Sequence, residues 1–435
     1  MSRQQPRQTL GSAFDPRRNS FGFLRIGLAL VVFVQHGLAA GGFAPAPTAQ
    51  YDPAVLAVDC FFVISGFLIT RSRVQVRSTP RFLWHRFLRV LPGFWVCLVV
   101  VAMVIAPLGW LHEHRTLAGY FGSHPHGPFT YLTANSLLAM RFYDIAGTPR
   151  QVPIARMPGG PVAWDGSLWT LFWEALCYLG IAALGAYGLL RRRRAVVGGL
   201  TVALWVVWVL RWSALERLPT LLASDLAGAA VRLGSLFLAG ALLYLYADRV
   251  PFSSRLGLLA VALTAAGLLC PDGHTVISLP LAYVCVWAAL RLPLWKVAAR
   301  DDLSYGTYIY SAPVQQLFAV YGLHRLGLVP YFLTCLAATT MLALASWRLV
   351  ERPALRLKNR SLPGPGGWAV LARLRHRRLG AGAAGAAAIP AQRRGGGERA
   401  AGADEGPAER AVLGEQQQSE QDPQEKGDAV GGQHR

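Results

Sequence analysis

The chain has 435 residues, 53% of them apolar and only 15% charged, with a mean hydropathy of +0.34; this excludes an ordinary soluble domain and makes the bilayer its main solvent. Its formal charge of +20 is carried almost wholly by arginine, in short blocks between apolar segments. That is how a topology signal is distributed, not a nucleic-acid groove, so no nucleic-acid partner is expected. Six cysteines, Cys60, Cys97, Cys177, Cys270, Cys285 and Cys335, lie within or beside apolar segments without metal-ligand spacing and are expected as buried small hydrophobes.

The first apolar run, FGFLRIGLALVVFVQHGLAA at residues 21–40, holds Arg25 and His36 eleven positions apart. At about 100° and 1.5 Å per residue, the two side chains return to within about 20° of one helix face, about 16 Å apart in depth. Two ionisable groups on one face of a membrane helix are costly and point to function. The run is near spanning length and more spans follow it, so it is expected to be retained and not cleaved as a signal peptide.

Nine further apolar segments follow, at 54–70, 91–110, 168–190, 195–212, 229–247, 256–271, 276–291, 303–323 and 329–350. The fold expected is therefore an all-α polytopic integral membrane protein of about ten transmembrane helices. Arg17 and Arg18 precede the first span, and basic blocks follow spans two, four, six, eight and ten. Every second connection is basic, which predicts cytoplasmic N- and C-termini. The division expected is a cytoplasmic segment at 1–18, a membrane domain at 19–360 and, from its low-complexity composition, a disordered tail at 361–435.

The longest outward connection, 111–166, is rich in Gly, Pro and His and carries the weakly apolar TYLTANSLLAM, a candidate cover for a substrate entrance. His112, His114, His124 and His126 form two His-X-His pairs there. Without acidic or cysteine partners at useful spacing they read as solvated loop histidines, and no metal site is expected.

Three polar islands interrupt the apolar pattern. In VDCFFVISGFLIT, residues 58–70, Asp59 opens an apolar run and at that depth needs a partner; Arg25 and His36 are the nearest candidates in sequence, with a helix cap as the alternative. Gly66 is suited to close helix packing. RSRVQVRSTPRFLWHRFLRVLP, residues 71–92, carries six arginines, with apolar residues from Pro80 onward near helical spacing, as in an amphipathic interfacial helix. Its arginine forks suit phosphates as well as anchoring. In WDGSLWTLFWEALCYL, residues 164–179, Asp165 and Ser167 suit a helix N-terminus, while Glu174 falls about two turns inside the bilayer and requires a reason to be there.

These islands, in this order, resemble the membrane-bound acyltransferase-3 family over about residues 18–358. The Arg25 and His36 pair, with ten residues between, matches its first-helix motif, and VDCFFVISGFLIT is similar to its Val-Asp-x-Phe-Phe-Val-x-Ser-Gly-Phe run, with Cys60 at a position usually aliphatic or aromatic. Arg86, Arg89 and Pro92 fit its Arg-x-x-Arg-x-x-Pro segment, and Ser167, Leu168 and Glu174 resemble its Ser-Leu-x-x-Glu segment, although here five residues and not two stand before the glutamate. LSYGTYIYSAPV, residues 303–314, is similar to a further segment, but Ser311 replaces its common histidine; WRLVERPALRL, residues 347–357, closes the match.

The resemblance implies a multi-pass enzyme of the bacterial plasma membrane, an O-acyltransferase moving an acyl group, acetyl first among those expected, from acyl-CoA to a hydroxyl. The acceptor class is a glycan, a lipid-linked sugar or a secondary metabolite. No tightly bound cofactor is expected; acetyl-CoA would be a co-substrate. His36, poorly solvated, suits a neutral general base, with Asp59 or Glu174 to orient it. Arg25 suits cofactor binding or stabilisation of developing negative charge, and Arg86 and Arg89 suit CoA phosphates at the cytosolic surface. Direct transfer is expected, since neither Ser65 nor Cys60 has a local base visible in the sequence. The rival reading is a transporter or flippase for a glycan or lipid-linked intermediate, in which Arg25, Asp59 and Glu174 line a path. A silent scaffold of a polysaccharide assembly complex is disfavoured by the presence of both Arg25 and His36.

Overall fold

The computed structural model describes residues 8–44, 52–122, 125–156, 160–214, 224–270, 273–297 and 301–359. All of them belong to one compact unit, Met1–Leu362. The segment expected as a tail, 361–435, lies outside the described residues, and so does His124. Among the described residues the chain is helical, with no β-strand.

Each apolar segment read from the sequence falls on a helix. In chain order these are α1 (Phe21–Ala40), α2 (Pro53–Gln75), α3 (Thr79–Val100), α4 (Trp169–Ala186), α5 (Arg194–Ala214), α6 (Asp225–Leu245), α7 (Ser254–Leu268), α8 (Ser278–Arg291), α9 (Ser304–Val320) and α10 (Leu328–Ser346). Among the described residues, seven helices are long and apolar enough to cross a membrane, those built on α1 to α6 and α10. The other three, α7, α8 and α9, have 15, 14 and 17 residues, shorter than the roughly 20 that an upright span needs.

Local chemistry sets several starts. Asp52 caps α2, accepting from the Ala54 amide at 2.7 Å, with Pro53 in the first turn. Ser78 caps α3 with Pro80 behind it, the arrangement that satisfies a free amide where proline has none to offer. The amphipathic stretch from Pro80 is not a separate interfacial helix. It is the beginning of α3, which continues past Pro92 and through a π turn, Val101–Ile105, to His114. Phe82 is fully buried there, so its apolar face meets protein.

α2 is the hub, packing most extensively on α6 and also on α1, α4 and α8, while α9 packs on α1 and α10. The α2–α6 approach depends on two glycines: a Cβ at Gly66 would fall on the Phe237 carbonyl, and one at Gly240 on that of Val63. Small residues let membrane helices approach backbone to backbone where lipid offers no competing hydrophobic drive. The result holds α2, α4 and α9 around one side of α1.

Candidate active site

Arg25 and His36 both project toward α9 and the beginning of α4, but into different cavities. The first has a volume of about 60 Å³ and is lined by Arg25, by Ser65 of α2, by Thr170 and Glu174 of α4, and by Tyr305 and Tyr308 of α9, among others. The second, of about 470 Å³, is lined by His36, Tyr143, Trp169, Ala312, Gln315 and Gln316, with the connection 160–166 forming another wall. One α9 stripe, Tyr305, Tyr308, Ala312 and Gln315, passes from one cavity to the other, as steps of three and four residues on a helix do.

At the first cavity, Arg25 Nη1 lies 2.8 Å from Asp302 Oδ2. The same oxygen takes Arg89 Nη2 at 2.5 Å, and Arg89 Nη1 lies 3.5 Å from Glu351 Oε2. Ser304 Oγ donates to Asp302 at 2.5 Å and Ser346 Oγ to Glu351 at 3.1 Å. This chain of alternating charge ties α1, α3, α9 and the end of α10. Burial alone would raise the Asp302 carboxyl, but the Arg25 and Arg89 guanidiniums and the Ser304 bonds hold it well below the usual carboxylate range.

Glu174 sits across the same cavity. Ser65 Oγ donates to Glu174 Oε1 at 3.0 Å, and Tyr178 OH donates to that oxygen at 2.5 Å. The buried carboxylate thus has its reason: it accepts from a hydroxyl on α2 and from one a turn further along α4.

Between the two cavities stand Ser167, Thr170 and Tyr308. Tyr308 OH lies 2.7 Å from Thr170 Oγ1 and donates to the Ser167 carbonyl at 3.0 Å, while Ser167 Oγ donates to the Tyr308 carbonyl at 3.2 Å. Phe61 packs edge-on against the Tyr308 ring. Ser311, where the resembled segment has histidine, is fully buried and donates to the Tyr308 carbonyl at 3.3 Å.

Other residues singled out from sequence lie elsewhere. Asp59 meets neither Arg25 nor His36; fully buried, it accepts Arg232 Nη2 at 2.6 Å and pairs with His274 Nδ1 at 2.6 Å. Arg89 does not lie free at the surface but is largely buried and paired with Asp302 and Glu351. Arg86 is likewise interior, its guanidinium over the Phe82 and Tyr178 rings and its Nε buried without a hydrogen-bond partner. Asp165 and Ser167 do not cap α4, whose first turn has no side-chain cap. Asp165 is fully buried, accepting from Cys97 Sγ at 3.6 Å and Ser167 Oγ at 3.2 Å. Burial pushes its carboxyl up to about 8, the two hydrogen bonds offsetting only part of the rise.

In the long connection His114 stacks on Trp110, His112 lies against Tyr321, and His126 Nδ1 pairs with Asp144 at 2.8 Å. Among the described residues no group of three or more His, Cys, Asp or Glu could hold a metal ion. Cys97, Cys285 and Cys335 are buried as expected and Cys60 and Cys177 half-buried, but Cys270 is exposed.

Asp302, Arg232, His274, Tyr178 and Tyr308 were not singled out from the sequence. For two of them a signal existed: Asp301 and Asp302 interrupt a basic connection, and Arg232 is an arginine within an apolar run, so each demands a partner of opposite sign.

No solved structure matches the chain. An O-acetyl transferase of Shigella phage Sf6 is 28% identical over 358 residues, 80% of this chain and 98% of that protein. Nodulation protein 10 of Rhizobium leguminosarum bv. viciae is 28% identical over 323 residues, 69% of this chain and 82% of its own. The exopolysaccharide production protein ExoZ of Rhizobium meliloti (strain 1021) is 28% identical over 314 residues, 69% of this chain and 89% of its own. The acyltransferase-domain model of the acyltransferase-3 family matches residues 18–348, the span that holds Arg25, Ser65, Glu174, Tyr308 and His36. With its apolar helices and this match over most of its length, the chain belongs to the acyltransferase-3 family and is a membrane-helical acyltransferase.

Proposed function

We propose that the protein is a multi-pass O-acyltransferase of the bacterial plasma membrane that takes a short acyl group, acetyl first, from acyl-CoA and delivers it to a hydroxyl of a glycan, lipid-linked sugar or secondary metabolite. The observation that carries this reading is the pair of unequal cavities on one α9 stripe. The Arg25 cavity, about 60 Å³, has room for a few waters or an acetyl group but not for a sugar. The His36 cleft, about 470 Å³, is of the size that holds small molecules. The name of one relative, an O-acetyl transferase, supports an acetyl group, and that of another, an exopolysaccharide production protein, supports a glycan-type acceptor.

In this reading the end of the molecule that carries Arg25, Arg89 and Asp302 faces the cytosol, as the basic connections favour, and admits the thioester. Arg25, already set by Asp302, stabilises negative charge as the thioester carbonyl is attacked. The exposed Arg81, Arg352 and Arg356 lie at the same end, on segments joined by the Trp84 Nε1 bond to the Leu357 carbonyl, and offer CoA phosphates a cationic surface. His36 accepts the proton of the acceptor hydroxyl in the larger cleft.

Purified protein in proteoliposomes, given acetyl-CoA and a panel of hydroxyl acceptors, tests this. Release of CoA with matching acylation of an acceptor supports the reading. Movement of a glycan across the bilayer with acyl-CoA left intact would replace it with the transporter.

A further inference from the structure

The sequence shows no base beside Ser65, yet the fold supplies one: Ser65 Oγ donates to Glu174 Oε1 at 3.0 Å, from a helix more than a hundred residues away in the chain. Both residues line the small cavity that also holds the Arg25 guanidinium. A hydroxyl within hydrogen-bond reach of a base, beside a fixed cation, is the arrangement an activated nucleophile requires. Tyr178 OH holds the same carboxylate oxygen at 2.5 Å and so orients it, as a third group does in nucleophile–base–orienter sets.

The separation of the cavities adds a second reason. His36 opens onto the larger cleft and Arg25 onto the smaller, and the contacts of Thr170 and Ser167 with Tyr308 stand between them. A thioester beside Arg25 is therefore not beside His36 in this structure. Two cavities with separate chemical groups suit two successive half-reactions better than a single ternary encounter.

We propose that Ser65, activated by Glu174, carries the acyl group as an ester between acyl-CoA and the acceptor. This rests on the acyl-transfer reading above. In the first half-reaction Ser65 Oγ bonds to the thioester carbonyl carbon and Glu174 takes the hydroxyl proton. The C–S bond then breaks and CoA leaves as the thiolate, to be protonated by solvent. Arg25 stabilises the oxyanion that forms in between.

In the second half-reaction the Thr170–Tyr308 contact parts and the acceptor oxygen, its proton passing to His36, bonds to the ester carbon. The C–Oγ bond breaks, Glu174 returns its proton to Ser65, and His36 gives its proton to solvent. Ser65 and Glu174 end as they began.

The test separates the halves. Purified protein in proteoliposomes is mixed with radiolabelled acetyl-CoA and no acceptor, and free CoA and protein-bound label are followed, with peptide mass spectrometry to locate the label. The wild-type protein should release about one CoA per molecule in a burst and carry an acetyl group on Ser65. His36→Ala should give the same burst and hold the label, because its defect lies in the second half. Ser65→Ala and Glu174→Gln should give no burst, and Ser65→Cys should retain one as a thioester that hydroxylamine cleaves.

Normal turnover with acceptor by Ser65→Ala, or turnover by the wild type with no burst and no labelled Ser65, would overturn the relay and leave direct acyl transfer standing. A protein that consumes no acyl-CoA, with or without acceptor, would overturn both readings.

Discussion

Arg25 and Asp302 are joined at 2.8 Å although they stand 277 positions apart in the chain, and Asp302 in turn holds Arg89. A guanidinium so placed is oriented before any substrate arrives, and such preorganisation lets a charge stabilise a transition state without reorganisation cost.

Removing Asp302 should therefore act through Arg25. Asp302→Asn should lower kcat/KM about tenfold, the size expected from losing a charge-assisted hydrogen bond worth about 1.5 kcal/mol. Arg25→Ala should weaken acyl-CoA use as well as turnover, and Arg25→Lys should recover only part, lacking the planar fork. Arg25→Ala should also cost less in the Asp302→Asn background than in the wild type. Additive losses in that double-mutant cycle would show that the ion pair is structural only.

Two buried carboxylates should respond differently to neutralisation. Asp59 is shared by Arg232 and His274, so Asp59→Asn leaves the Arg232 cation without its counter-charge and should destabilise the protein by about 3 kcal/mol. Asp165, raised from 3.8 to about 8 by burial, is mainly neutral at pH 7, and Asp165→Asn should cost about 1 kcal/mol or less. The folded pKa lies above the unfolded one, so the stability Asp165 contributes is full below about pH 4 and is lost as pH rises toward 8. Asp165→Asn should flatten that part of the profile. Thermal unfolding in detergent across pH 5 to 9 reads both effects, and equal losses for the two variants would contradict the assignment.

Orientation follows from the alternation of basic connections. Reporter fusions should place 1–18 and 191–194 in the cytosol and 111–166 outside. A fusion at Arg191 reporting from outside would invert the sides assigned to the Arg25 cavity and the His36 cleft.

The local part of this architecture was legible in the sequence because it depends on neighbours along the chain. Apolar runs become helices, Asp52 with Pro53 and Ser78 with Pro80 begin two of them, and the helical repeat puts Arg25 and His36 toward α4 and α9 together. Gly66 marked a close approach that the fold makes against Phe237. Pairing across the bundle was not legible, because which charge meets which depends on packing between distant helices. Asp59 had two candidate partners nearby in sequence and took Arg232 and His274 instead. The arginine-rich sequence around Arg89 suggests a surface residue, but α3 extends through that stretch and turns Arg89 inward onto Asp302 and Glu351. The sequence shows that Glu174 needs a partner; that Ser65 is one emerges only when α2 and α4 are set side by side.

The most direct test of the account is the steady-state turnover of acetyl-CoA by the purified protein in proteoliposomes, with an accepted hydroxyl substrate, compared between wild type and His36→Ala. If the imidazole takes the acceptor proton, the variant should lose about 10² to 10⁴ in kcat, the usual size of general-base catalysis, while acetyl-CoA still binds at the Arg25 end. A His36→Ala protein that turns over acetyl-CoA as fast as the wild type would make the histidine a structural residue and contradict the account.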